Sequence, residues 1–214
     1  MIYLDNAATT QMKEEVYEAM LPYLREQYGN ASAIYDLASS SKRALENARA
    51  QIADLIHAKP NEIIFTSGGT ESDNWALKGI VKAYKNQGKH IITSQIEHLA
   101  ILNSCNELEE LGYEVTYLPV DEYGFVHPQD LRNAIREDTI LVSIMMANNE
   151  IGTIEPIKEL VAIAHEHHIL FHTDAVQCFG QIPIDVEELQ VDLLSASAHK
   201  IYGPKGAGCL FIRN

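Results

Sequence analysis

The chain has 214 residues, 46% of them hydrophobic and 21% charged, with a formal net charge of −14. That composition suits a globular core and excludes an intrinsically disordered chain. The acidic balance argues against binding a nucleic-acid backbone, and no apolar run is long enough to span a bilayer.

Residues 1–12 read as an extended arm containing the polar cluster Asp5-Asn6-Ala7-Ala8-Thr9-Thr10. Val16, Met20, Leu21 and Leu24 recur at helical spacing and predict a helix over Met12–Tyr28, stopped by Gly29-Asn30. A second amphipathic helix follows from about Asp36 to Ala58. Its apolar face carries Ala44, Ala48, Ile52 and Leu55 or Ile56, opposite Lys42, Arg43, Glu46 and Arg49. Beyond Pro60 the rhythm changes, and short β-rich runs alternate with helical ones. The predicted strands are Glu62–Thr66, His90–Thr93, Tyr113–Leu118, Ile140–Met146 and Ile169–Thr173. The intervening helices are Glu71–Asn86, Leu99–Leu111, Pro128–Arg136 and Ile157–His167. A short helix near Val186–Leu189 precedes two more strands, Val191–Leu194 and Ala207–Ile212. This alternation predicts one α/β domain, a mainly parallel seven-stranded sheet with helices on both faces.

In such sheets ligands bind beyond the carboxyl ends of the strands, so the residues just after each strand are the informative ones. Here they are Ser67-Gly68-Gly69-Thr70, Glu97-His98, Asn148-Asn149-Glu150, Asp174-Ala175-Val176-Gln177 and Ser195 to Lys200. A glycine turn entering a helix, as at Gly68-Gly69-Thr70, suits a phosphate cradle, while Thr70-x-x-Asp73 equally suits a helix capping box. Asp174 fits either a turn or a buried carboxylate paired with a pyridinium nitrogen, with Gln177 near the same ring. His98 fits either a structural imidazole or one that stacks on a flat ring and moves protons. Lys200, flanked by hydroxyls, His199 and close glycines, suits a lysine that forms a Schiff base with a phosphorylated aldehyde.

Other features read as structural. His165-Glu166-His167-His168 reads as a solvated helix terminus, because one histidine-rich turn does not make a closed ligand set, and no metal is expected. Cys105, Cys178 and Cys209 are widely spaced and form no C-x-x-C pattern, which predicts packing residues, no disulfide framework and a reducing compartment. The start of the chain lacks a basic-then-apolar leader, so the cytoplasm is the expected location.

Taken together, Ser67-Gly-Gly-Thr-Glu-Ser-Asp-Asn74, Glu97-His98, Asn148-Asn-Glu-Ile-Gly152, Asp174-x-x-Gln177 and Ser197-x-His199-Lys200-x-x-Gly-Pro204 resemble the cysteine desulfurases of the NifS/IscS type. Those are pyridoxal 5'-phosphate enzymes of the aspartate-aminotransferase fold. The opening Tyr3-Leu-Asp-Asn-Ala-Ala-Thr9 and the Gly29-Asn30 turn match as well. The resemblance implies that Lys200 holds the cofactor as a Schiff base and moves the substrate proton. It also implies that Gly69, Thr70, Ser197 and His199 bind the phosphate. Asp174 and Gln177 would hold the ring nitrogen and the ring hydroxyl oxygen. His98 would stack on the ring and assist proton transfer, and Asn149 would lie by the ring and the substrate carboxylate.

The implied reaction converts L-cysteine to L-alanine and leaves persulfide sulfur for iron–sulfur cluster or thiolation pathways. The implied partners are a second copy in a homodimer and a sulfur acceptor, either an iron–sulfur scaffold or a tRNA-thiolation protein, with no nucleic acid or membrane bound directly. In the family the sulfur-accepting cysteine, a carboxylate-binding arginine and a partner-subunit threonine lie beyond the lysine, past the position of Asn214. The expectation is therefore an arm at 1–12 and an incomplete cofactor-binding large domain at 13–214, with the small domain missing. Asn30-Ala-Ser-Ala-Ile-Tyr35 departs from the family's usual run. A fragment without activity of its own, or a selenocysteine or cystine lyase, is the alternative.

Overall fold

Successive strand residues point to opposite faces of a sheet, so strands apolar at every position need cover on both sides. The computed structural model, which describes residues 2–214, meets that need. Met1, the first residue of the predicted arm, lies outside the described residues. The helices are α1 (Glu14–Arg25), α2 (Asp36–Leu55), α3 (Gly69–Ala83), α4 (Leu99–Glu110), α5 (Pro128–Ala134), α6 (Ile157–Glu166) and α7 (Val186–Leu189). The strands are β1 (Ile63–Thr66), β2 (His90–Ser94), β3 (Glu114–Leu118), β4 (Thr139–Ser143), β5 (Leu170–Asp174), β6 (Leu193–Ser197) and β7 (Gly208–Ile212).

They form one sheet in the order β1-β7-β6-β5-β4-β2-β3. β3, β2, β4, β5 and β6 run parallel, and β7 is antiparallel to both β6 and β1. β1 therefore points the same way as the parallel set, and the predicted α/β class stands. Ile92, Val142, Phe171, Leu194 and Phe211 pack on one face with Ala53, Leu131, Leu160 and Ile163 from α2, α5 and α6. Their strand neighbours Ile91, Leu141, Leu193 and Leu210 pack on the other, with Ala76, Leu77, Ile101 and Cys105 from α3 and α4.

Some boundaries differ from the sequence expectation, each for a local reason. β4 ends at Ser143 rather than Met146. Beyond it Ile144 and Met146 still donate to His172 and Asp174 of β5, but on the β2 side the Met145 N–H turns to the Glu97 carboxylate at 2.9 Å. α3 starts at Gly69 and not at Glu71. β6 runs on to Ser197 because β7 pairs with it to the end, Ser197 opposite Gly208. Short 3₁₀ turns at Pro60–Glu62 and Ala198–Lys200 were not predicted. The arm is tied down: Thr10 donates its N–H to the His199 carbonyl at 2.9 Å, and its Oγ1 accepts from the Tyr202 N–H at 2.7 Å.

The three cysteines are buried, and burial pushes each thiol up to about 12. An aromatic disulfide reagent at pH 8 is therefore expected to find no rapidly reacting thiol in the folded protein and three after denaturation. One fast native thiol would contradict the packing role. No described helix is long and apolar enough to cross a membrane.

Candidate active site

The carboxyl ends of β1, β2, β4, β5 and β6 lie along one edge of the sheet. They surround a cavity of about 280 Å³ lined by all nine residues singled out in the sequence: Gly69, Thr70, His98, Asn149, Asp174, Gln177, Ser197, His199 and Lys200. Ala8, Asp73, Met145 and Val176 line it too, with no functional signal of their own in the sequence.

One end of the cavity is the N-terminus of α3. Gly68 precedes that helix at φ 154°, ψ −177°, a conformation open to glycine and strained for any other residue. A Cβ on Gly69 would lie 2.6 Å from the Val176 Cγ2, so any larger residue there forces Val176 to move. The capping-box alternative fails here. α3 has no side-chain cap, Thr70 sits exposed in the first turn, and Asp73 is buried against the sheet. The helix N–H groups and dipole thus face the cavity without a capping carboxylate or hydroxyl. Ser197 and His199 close the same end. His199 Nδ1 lies 3.1 Å from Thr9 Oγ1, and burial, then Lys200 and Lys205, lower the imidazole's affinity for a second proton.

At the other end Asp174 terminates β5, 5% exposed. Its Oδ1 accepts the Val176 N–H at 2.9 Å, which leaves Oδ2 for the cavity. Burial raises its pKa, and the Val176 bond, His98 and Lys200 oppose that rise. The turn role and the cavity-facing role are both present in one side chain. His98 is the N-cap of α4, and its Nδ1 accepts the Ala100 N–H at 3.1 Å. The neutral ring therefore carries its proton on Nε2. Asn149 donates to Glu150 Oε1 at 2.8 Å beside the cavity. Its neighbour Asn148 holds the loop, accepting from the N–H groups of Glu150 and Ile151 and donating to the Ile96 carbonyl.

Lys200 projects from the 3₁₀ turn after β6. Burial lowers its pKa, while Asp174 and Asp5 oppose the shift. Its amine donates to the carbonyls of Ala7 and Ala8, and Gln177 Nε2 donates to the same Ala7 carbonyl at 3.0 Å. The arm thus reaches the centre of the site through backbone oxygens, which carry no sequence signature. The histidine tract is only partly a solvated terminus: His165 Nε2 lies 2.9 Å from Asp192 Oδ2 and ties α6 to the start of β6.

Beneath His98, Glu97 is buried and accepts from Ser94 Oγ at 2.6 Å and from the Met145 N–H. Burial raises its pKa to about 8. A carboxyl raised on folding binds its proton more tightly in the native state. Its contribution is present in full below about 4.5, the ordinary glutamate value, and is lost as the pH rises through about 8. Across that window the wild-type unfolding free energy is expected to fall more steeply than that of Glu97→Gln, by up to about 1.4 kcal/mol per pH unit. Parallel urea-denaturation profiles from pH 5 to 8 would contradict a neutral Glu97.

Against known families, the model for class-V aminotransferases matches residues 2–214. The chain belongs to the class-V aminotransferase family. Members of this family and its cysteine desulfurases depend on pyridoxal 5'-phosphate. The chain is 62% identical over 212 residues to cysteine desulfurase IscS of Methanosarcina thermophila, covering 99% of this chain and 52% of that protein. It is equally similar to the IscS of Dictyoglomus turgidum, over 99% and 54% of the two chains. Among solved structures, SspA in complex with cysteine superposes with a TM-score of 0.98 at 43% identity, covering all of this chain and 62% of that one. A NifS-like protein superposes at 0.97 with 42% identity, covering 59% of its chain. The chain spans about half the length of the curated relatives it matches.

Within this class-V framework the residues present fit the cofactor. An uncapped helix N-terminus opening on two glycines, the first at a positive φ, suits its phosphate. A buried carboxylate with one oxygen left to the cavity suits its ring nitrogen.

Proposed function

We propose that this chain is the cofactor-holding part of a cysteine desulfurase, with residues 1–12 as its arm and 13–214 as its large domain. The reading is carried by one observation: nine residues suited to separate parts of one cofactor, from five strand ends, line a single cavity. When bound, pyridoxal 5'-phosphate supplies an electron sink for bonds at the substrate's Cα. The protein's part is to hold, orient and move protons. The α3 N-terminus with Thr70, Ser197 and His199 fixes the phosphate. Asp174 keeps a negative charge at the ring nitrogen, Gln177 donates to the ring hydroxyl oxygen, and His98 covers the ring beside Asn149.

Lys200 is the residue to which the cofactor attaches and the base that carries the substrate proton. Its lowered pKa raises the fraction of neutral amine available for both tasks. Cys105, Cys178 and Cys209 are buried thiols at about 12, so sulfur leaves to a cysteine other than these. A homodimer, a cytoplasmic site of action and a sulfur-acceptor protein serving iron–sulfur assembly or tRNA thiolation complete the proposal.

The test is L-alanine and sulfide release from L-cysteine by the full gene product that contains this chain, in the presence of a thiol reductant. Equimolar alanine and sulfide are expected. Alanine without sulfur release, or turnover of selenocysteine or cystine alone, would overturn the cysteine assignment.

A further inference from the structure

Beside Asp174 lies a second carboxyl group that the proposed chemistry does not use. Asp73 comes from the second turn of α3 and is 1% exposed, with Oδ1 buried and unpartnered among the described residues. Carboxylate oxygens of Asp73 and Asp174 and a ring nitrogen of His98 all lie within 4.8 Å of one another.

Two buried carboxylates at that separation do not both ionise, since each charge is desolvated and repels the other. Three observations decide which one keeps the charge. Asp174 has a backbone N–H on Oδ1 and two basic neighbours, His98 and Lys200, whereas Asp73 Oδ1 has no donor. An ionised oxygen buried without a donor is among the costliest arrangements a protein interior offers, and a neutral acid there costs far less. His172 Nε2 stands 3.7 Å from that oxygen but gives it no counter-charge. Its two nitrogens are engaged by Ser143 Oγ at 2.8 Å and Ser195 Oγ at 2.9 Å, and burial lowers its pKa to about 3. The imidazole is therefore neutral.

We propose that Asp73 stands as a neutral carboxylic acid beside Asp174 and is the positioning residue that keeps the pair's single negative charge on Asp174. The proposal rests on the reading in which Asp174 faces the cofactor ring nitrogen. Every titratable group around the pair agrees with it. Burial, then the Asp174 charge, raise Asp73 well above the usual carboxylate range, and Glu97, itself protonated below about 8, adds a charge only above that. The Ser195 hydroxyl opposes the shift, and His172 is neutral. His98 and Lys200 act in the other direction, on Asp174. The arrangement places a polar but uncharged group beside an anion, steadying it without competing for the ring's proton.

Two readouts test this. Infrared spectra of the cofactor-free protein at pH 7 are expected to show buried protonated-carboxyl absorption. One component should vanish in Asp73→Asn and another in Glu97→Gln. If Asp73→Asn removes no such component, Asp73 is ionised and the proposal fails. The second readout is the affinity for pyridoxal 5'-phosphate, followed by absorbance. Asp73→Ala is expected to weaken it about tenfold, and the neutral isostere in Asp73→Asn to restore it. If Asn binds as weakly as Ala, a charge on Asp73 was needed and the proposal is overturned. Should Asp73→Asn fold poorly, Asp73→Ser carries the infrared comparison. Failure of the wild-type protein to bind pyridoxal 5'-phosphate at all would count against the cofactor reading, and the infrared component would still decide the protonation state of Asp73.

Discussion

Asp174→Asn is expected to lower cysteine turnover by the full-length enzyme by about 10³-fold, the scale of removing one preorganised polar partner from a developing charge. The substitution keeps the shape of the side chain and the Oδ1 acceptor for the Val176 N–H, so it separates the two roles that meet in this residue. If Asp174 only shaped the turn after β5, asparagine would serve equally well and activity would change little. The same variant is expected to make the cofactor-free protein more stable, because the buried carboxyl group is held against its desolvation cost. Lost activity together with gained stability is the signature of a group kept for chemistry. Equal activity would contradict the assignment.

The second large effect lies one layer below the site. Phe171 is fully buried as the second residue of β5, between β4 and β6, three residues before Asp174. Phe171→Ala removes that ring from the middle of the sheet's α2–α5–α6 face and is expected to cost about 3–5 kcal/mol. In urea the midpoint should fall with the slope unchanged. A loss below about 1 kcal/mol would mean that the core collapses around the gap, and that Phe171 does not fix where Asp174 and His172 stand.

What could be read from the sequence was whatever has a local signal. Lys200, Asp174, His98 and the Gly68-Gly69 turn are chemistry-bearing residues directly after apolar runs, so strand order alone brought them to one edge. The sheet was legible because its strands are apolar on both faces. β4 was drawn too long because its true end is set by Glu97, 48 residues earlier, taking the Met145 N–H. Ala7 and Ala8 were invisible as site residues because they act through carbonyls on Lys200 and Gln177. Asp73 drew notice only as half of a possible capping box, because its spacing from Thr70 fits one. Only the packing of α3 against β5 and β6 shows it buried beside Asp174. These misses share one cause: each depends on a contact between segments far apart in the chain.

The most direct test of the central claim is to trap the cofactor on the protein. The protein is incubated with pyridoxal 5'-phosphate, reduced with borohydride and digested, and the modified lysine is identified by peptide mass. The account predicts a single stoichiometric modification at Lys200, absent from Lys200→Ala. Stoichiometric labelling of another lysine with Lys200 unmodified, or the same labelling in Lys200→Ala, would contradict it.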